Sequence, residues 1–143
     1  MTQKIRTILL VDDDPDDQLL FAEALHDADD AVLCLTADNG IDALSKLNFG
    51  TIVLPNLIFM DVNMPRMNGI DCLKEIKKTD LLKDIPVIMY STSCSPAYQK
   101  ECFNSGAALY MEKPSDFMQL CNVLKQIITQ GIPDVKTICS DNI

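Results

Sequence analysis

Three carboxylates stand where a hard cation would need them. Asp12 and Asp13 directly follow the apolar run Ile8-Leu9-Leu10-Val11, and Asp61 directly follows Leu57-Ile58-Phe59-Met60. If both runs are neighbouring parallel strands, all three side chains emerge at the C-terminal edge of one sheet, where open α/β folds bind ligands. Three negative charges there repel unless a divalent cation bridges them, and an all-oxygen donor set suits Mg²⁺. The cluster predicts a metal site.

Two more residues extend it. The runs at 86–90 and 107–111 end in Ser91 and, one residue beyond Glu112, in Lys113, which brings a hydroxyl and an ammonium to the same edge. Magnesium and Lys neutralise phosphoryl oxygens, a hydroxyl donates to another, and a carboxylate can accept the group as an aspartyl phosphate. Alone, an Asp after a strand is more often a loop residue or a helix cap than a nucleophile. The ordered set reverses that weighting.

The elements that must position these groups read as five repetitions of strand then helix. The first strand covers 5–11. Asp14 caps a helix that opens at Pro15 and runs to about residue 28, with Leu19, Leu20, Phe21, Ala22 and Leu25 as its apolar face. Asp14, Asp16 and Asp17 read as helix-start charges complementing the macrodipole. A strand over 32–36 leads into a helix carrying Ile41, Ala43, Leu44 and Leu47, and the apolar strand 57–60 is suited to cover on both faces. Ile70, Leu73 and Ile76 mark a third helix, and a fourth spans 96–105 with Gly106 as its C-cap. The fifth spans 115–128 and carries Phe117, Leu120, Cys121, Leu124, Ile127 and Ile128. Residues 81–83 form an extra turn with no assigned role. The alternation predicts an α/β fold with a parallel sheet and helices on both faces.

VDDDP at 11–15, MDVNMPRMNG at 60–69, YSTS at 90–93 and EKP at 112–114, in that order and at fitting spacings, resemble the receiver domain of two-component response regulators. The resemblance covers nearly the whole chain. It implies a five-stranded, doubly wound, flavodoxin-like (βα)5 sheet of order 2-1-3-4-5, with residues 1–130 as receiver domain and 131–143 as a short C-terminal tail. It implies Asp61 as phosphoacceptor, with Asp12, Asp13, Asp61 and the backbone carbonyl of Asn63 holding Mg²⁺. Ser91, Thr92 and Lys113 would bind the phosphoryl group, and Ser91 and Tyr110 would form the switch. Pro114 would follow a cis peptide that aims the ammonium of Lys113. The family's partners are a sensor histidine kinase or phosphotransfer protein and a downstream protein. A homodimer through the face between the fourth and fifth helices is a further option.

Composition narrows the field. At 143 residues and 48% hydrophobic content, one well-buried domain is expected. A formal net charge of −9 argues against nucleic-acid binding, because there is no basic footprint to displace counterions. The longest uncharged stretch, 49–60, contains Pro55 and Asn56 and is too short to span a membrane, and the N-terminal MTQKIRT lacks a secretory hydrophobic region. A cytoplasmic location is expected. Six cysteines, at 34, 72, 94, 102, 121 and 139, include no CxxC pair, so neither a disulfide framework nor a zinc site is expected, and His26 reads as a helix-surface residue. After the fifth helix too little chain remains for an output module.

A signalling phosphoacceptor, catalysing only its own phosphorylation and dephosphorylation, is therefore expected rather than a metabolic enzyme. A phosphohydrolase of the aspartyl-phosphate type would have a second Asp where Asn63 stands. A flavodoxin-like cofactor binder would need a hydroxyl- and Gly-rich loop in place of Asp12, Asp13 and Asp14. The remaining alternative is a phosphate-independent protein-interaction module on the same fold.

Overall fold

The computed structural model describes residues 4–139. Eleven elements follow one another along these residues: β1 (Thr7–Val11), α1 (Pro15–Ala28), β2 (Leu33–Ala37), α2 (Gly40–Asn48), β3 (Leu57–Asp61), α3 (Gly69–Lys78), β4 (Val87–Ser91), α4 (Pro96–Asn104), β5 (Leu109–Glu112), α5 (Phe117–Gln130) and β6 (Thr137–Ile138). The strands form one parallel sheet of order β2-β1-β3-β4-β5-β6. The flavodoxin-like receiver topology is as expected, but the sheet has six strands rather than five. The sixth comes from the segment read as a tail, which pairs with the otherwise open side of β5.

Side chains alternate along each strand and so build two cores. Leu9, Val11, Ile58, Met60, Val87, Met89 and Tyr110 face α2, α3 and α4, while Ile8, Leu10, Leu57, Phe59, Ile88, Tyr90, Leu109 and Met111 face α1 and α5. Phe21, Phe59 and Tyr90 meet edge to face at centroid distances of 5.0 to 5.8 Å on the second side. Strands covered on both faces carry no polar face of their own, which explains the uninterrupted apolar runs.

The face expected for α1 is partly wrong. Phe21, Ala24 and Leu25 are buried, but Leu19 is 61% and Leu20 41% exposed. Only a narrow stripe of α1 meets the sheet, and the neighbouring α5 supplies the rest of that cover. The unassigned turn at 81–83 acquires a role as a core plug, because Leu82 is fully buried beside α3 and β4. The Lys77 ammonium ties the same turn down by donating to the carbonyls of Lys83 and Ile85 at 3.0 and 2.9 Å. Among the described residues no helix is long and apolar enough to cross a membrane.

A candidate phosphoacceptor and metal site

Register brings the candidate residues to one edge. Val11 pairs with Met60, Asp61 with Tyr90 and Ser91 with Glu112, so Asp12, Asp61, Ser91 and Lys113 all leave the sheet at its C-terminal end. A ligand oxygen from each of Asp12, Asp13 and Asp61 lies within 4.8 Å of the others. Asp12 is wholly buried, Asp61 nearly so, and Asp13 is exposed, which leaves the cluster open to solvent on one side.

Local structure holds each carboxylate. Oδ1 of Asp12 accepts from the Asp14 N–H at 3.0 Å, and its backbone carbonyl accepts from the Gln18 amide at 2.6 Å. Asp14 is the N-cap of α1 and accepts from the Asp16 N–H, so the cap turn fixes Asp12 and Asp13 at the strand end. Asp61 accepts from the Asn63 N–H at 3.3 Å. Beside it, Gly69 lies so close that a Cβ at that position would fall 2.0 Å from the carbonyl oxygen of Asp61. The intervening loop is tightly folded: Arg66 has φ 69°, inside a turn in which the Met67 N–H donates to the Pro65 carbonyl at 2.8 Å.

Lys113 is the cationic centre of the site. Its Nζ lies 2.8 Å from Asp12, 2.9 Å from Asp17 and 3.4 Å from Asp61, and 5.4 Å from the Tyr90 ring centroid. Burial alone would lower its pKa, but the hydrogen bonds it donates to Asp12 and Asp17 and the charge of Asp61 outweigh that and hold it above the usual lysine range. Asp17 was read as a helix-start charge only; it is also a partner of this ammonium. Its spacing on the first turn of α1 was the available signal, but which way that turn faces is a tertiary matter.

The peptide before Pro114, expected to be cis, is trans, as is every peptide bond among the described residues. The ammonium needs no such bend to reach the carboxylates. The Lys113 N–H donates to the Ser91 carbonyl at 2.7 Å, which prolongs the pairing of β4 with β5 and already points the side chain inward. A trans X–Pro bond is also the intrinsically preferred isomer.

Burial pushes the Asp61 carboxyl up to about 6, with Lys113 opposing and the charge of Asp12 adding to the rise. Four carboxylates around one ammonium leave an excess of negative charge. The donor set, all oxygen and partly open to solvent, fits a hard divalent cation.

The hydroxyls lie beyond Asp61. Ser91 is fully buried and its Oγ accepts from the Ser93 N–H at 3.1 Å; Thr92 is exposed. Tyr110 is buried, and its hydroxyl donates to the Ser93 carbonyl at 2.6 Å. Burial raises the Tyr110 pKa, with a hydrogen bond to the Ser91 hydroxyl opposing. Ser91 and Tyr110 are thus linked through one short loop.

A parallel sheet edged by an acidic trio, a buried hydroxyl and an ion-paired lysine is the arrangement of a doubly wound receiver fold. The profile of the response regulator receiver domain matches residues 8–125, and the chain belongs to that family. Among curated proteins it is 35% identical over 130 residues to the two-component response regulator ARR17 of Arabidopsis thaliana, covering 82% of this chain and 84% of that one. It is also 33% identical over 128 residues to a protein-glutamate methylesterase/protein-glutamine glutaminase of Clostridium acetobutylicum, but this match covers only 35% of that longer protein. The structure resembles the phosphorylated cyanobacterial phytochrome response regulator RcpA with TM-score 0.80 at 27% identity, covering 90% and 97% of the two chains. It resembles the Mn(2+)-bound response regulator Rcp1 with TM-score 0.77 at 27% identity, covering 91% and 96%.

Proposed function

We propose that the chain works as a single-domain response regulator. In this reading Asp61 takes a phosphoryl group from the phosphohistidine of a sensor histidine kinase or phosphotransfer protein in the cytoplasm, and the phosphorylated form signals by docking on another protein. The observation that carries the reading is the convergence of Asp12, Asp13 and Asp61 within 4.8 Å beside the Lys113 ammonium.

In the transfer, a carboxylate oxygen of Asp61 attacks phosphorus, the P–N bond breaks, and the imidazole nitrogen keeps the electron pair and later takes a proton. Asp12, Asp13, Asp61 and the Asn63 carbonyl would hold Mg²⁺, which supplies charge neutralisation at the phosphoryl oxygens. A raised pKa makes Asp61 a more basic nucleophile while leaving it largely ionised at neutral pH. Lys113 shifts its hydrogen bonding from the carboxylates toward a phosphoryl oxygen, and Ser91 and Thr92 donate to others. A turn of the Ser91 hydroxyl toward the phosphoryl group changes its contact with the Ser93 N–H, in the loop whose carbonyl holds Tyr110. The surface formed by α4, β5 and α5 changes in consequence.

The test is incubation with a small acyl-phosphate donor and Mg²⁺, read by intact mass. Wild type gains one phosphoryl group; Asp61→Asn and chelator-treated protein gain none. A wild-type chain that stays unmodified in a folded state would leave the phosphate-independent interaction module as the better reading.

A further inference from the structure

Beyond Gly131 a strap, residues 132–139, passes α5 and, at 136–138, reaches the outer side of β5. At the end of this strap Cys139 is disulfide-bonded to Cys94, across 6.3 Å between Cα atoms and 45 residues of sequence. The bond was not expected from cysteine spacing, since the two positions meet only because the strap adds a strand to the sheet. Cys94 directly follows Ser93, whose carbonyl receives the Tyr110 hydroxyl. The disulfide therefore joins the loop at the pocket to the far end of the strap, at the same C-terminal edge of the sheet.

Apart from Ile132 and Ile138, which pack partly buried against the α1–α5 core, the strap has few holds of its own. β6 is two residues long. The Tyr110 N–H donates to the Lys136 carbonyl at 2.9 Å, Thr137 shares a 3.0 Å hydrogen bond with the Gln99 side chain, and the Lys136 ammonium stands 5.8 Å from the Phe103 ring centroid. Val135 is 54% exposed, and a groove of about 490 Å³ separates Pro133, Val135 and Ile138 from Gln119, Val123 and Gln126 of α5. Two-residue pairing with so little packing opens readily unless something else closes the loop. Here the disulfide closes it.

The other four cysteines, Cys34, Cys72, Cys102 and Cys121, are free thiols. Burial pushes Cys34 and Cys102 up to about 11 and Cys72 to about 12, so these offer little thiolate at neutral pH. Cys94 and Cys139 are both only partly buried. A lone accessible bond among unpaired thiols suits exchange chemistry better than scaffolding.

We propose that Cys94 and Cys139 form a reversible thiol–disulfide latch, which fastens the 132–139 strap over the α4–β5–α5 edge when oxidised and frees it when reduced. The reductant is a dithiol. Its thiolate attacks one sulfur, the Cys94–Cys139 bond breaks to a mixed disulfide, and its second thiol displaces the mixed bond. The reductant leaves as its own disulfide, and two protons end on the Cys94 and Cys139 thiols. Release uncovers the edge amides of β5 and slackens the loop that anchors Tyr110. The consequence for signalling rests on the proposed phosphoacceptor function; the latch itself does not.

The full chain is equilibrated with oxidised glutathione or with dithiothreitol, the bond is mapped by alkylation and mass spectrometry, and amide exchange is followed at Tyr110 and across 132–139. The expected result is one Cys94–Cys139 bond in the oxidised sample and exchange faster by roughly tenfold or more after reduction. Cys94→Ser and Cys139→Ser, one in the loop after β4 and one after β6, each exchange fast in both buffers. Two thiols that never join, glutathione on single cysteines, or exchange indifferent to reduction would overturn the latch. None of these readouts involves phosphate, so failure of phosphoryl uptake and failure of the latch are separate results.

Discussion

Asp61 carries the electrostatic cost of the site before any cation binds. Its pKa is raised to about 6 from an ordinary 3.8, so the folded state binds its proton more tightly than the unfolded chain does. The sign follows: without metal, the contribution of Asp61 to stability is most favourable below about pH 4, is lost as pH rises toward about 6, and then levels. Asp61→Asn removes that dependence and should stabilise the metal-free protein at neutral pH by about 1–3 kcal/mol, as measured by urea unfolding with chelator present. A variant no more stable than wild type would mean that Lys113 already compensates the carboxylate. Asp61 was legible in the sequence because an acid directly after an apolar run has few structural uses once Ser91 and Lys113 repeat the arrangement on later strands. Asp17 was not legible in this sense, because a helix-start acid looks the same whether it faces water or Lys113.

Two elements owe their position to single contacts that can be tested. The loop from β3 to α3 returns so tightly that Gly69 abuts the carbonyl of Asp61, and the Gly69 N–H donates to the Val62 carbonyl at 2.8 Å. Gly69→Ala should cost about 2–4 kcal/mol in stability and depress phosphoryl uptake even where the variant is fully folded, because the clash is with the backbone of Asp61, the proposed acceptor. Uptake at the wild-type rate in folded variant would show that the loop yields without moving Asp61. In the turn after α3, Leu82→Ala should cost about 2–5 kcal/mol, while Leu81→Ala, at a position 62% exposed, should stay within about 0.5 kcal/mol in the same unfolding assay. The sequence showed that this stretch exists but not which leucine points inward. Neither residue lies on a periodic element, so no pattern could choose between them. The face of α1 failed for a related reason: six apolar residues crowd its middle, and only contact with β1, β3 and α5 selects Phe21, Ala24 and Leu25.

At the scale of the whole molecule, an acidic cluster at the rim of a two-core sheet couples cation binding to global stability. Titration with Mg²⁺ at neutral pH should raise the melting temperature of wild type, by the logarithm of ligand concentration over dissociation constant, and should leave Asp13→Asn combined with Asp61→Asn unmoved. Equal stabilisation of both proteins would place the cation elsewhere. The alternation of strand and helix and the order and spacing of the motifs were determined by the sequence alone, because doubly covered strands read as unbroken apolar runs between helical periodicities, and the receiver resemblance those motifs carry implied the strand order in which Asp12, Asp13, Asp61, Ser91 and Lys113 meet. The sixth strand, the trans bond before Pro114, the capture of Lys113 by Asp17 and the joining of Cys94 to Cys139 were decided only by the tertiary structure. Each depends on how segments distant in sequence approach one another, and local propensity carries no information about a partner 45 or 96 residues away.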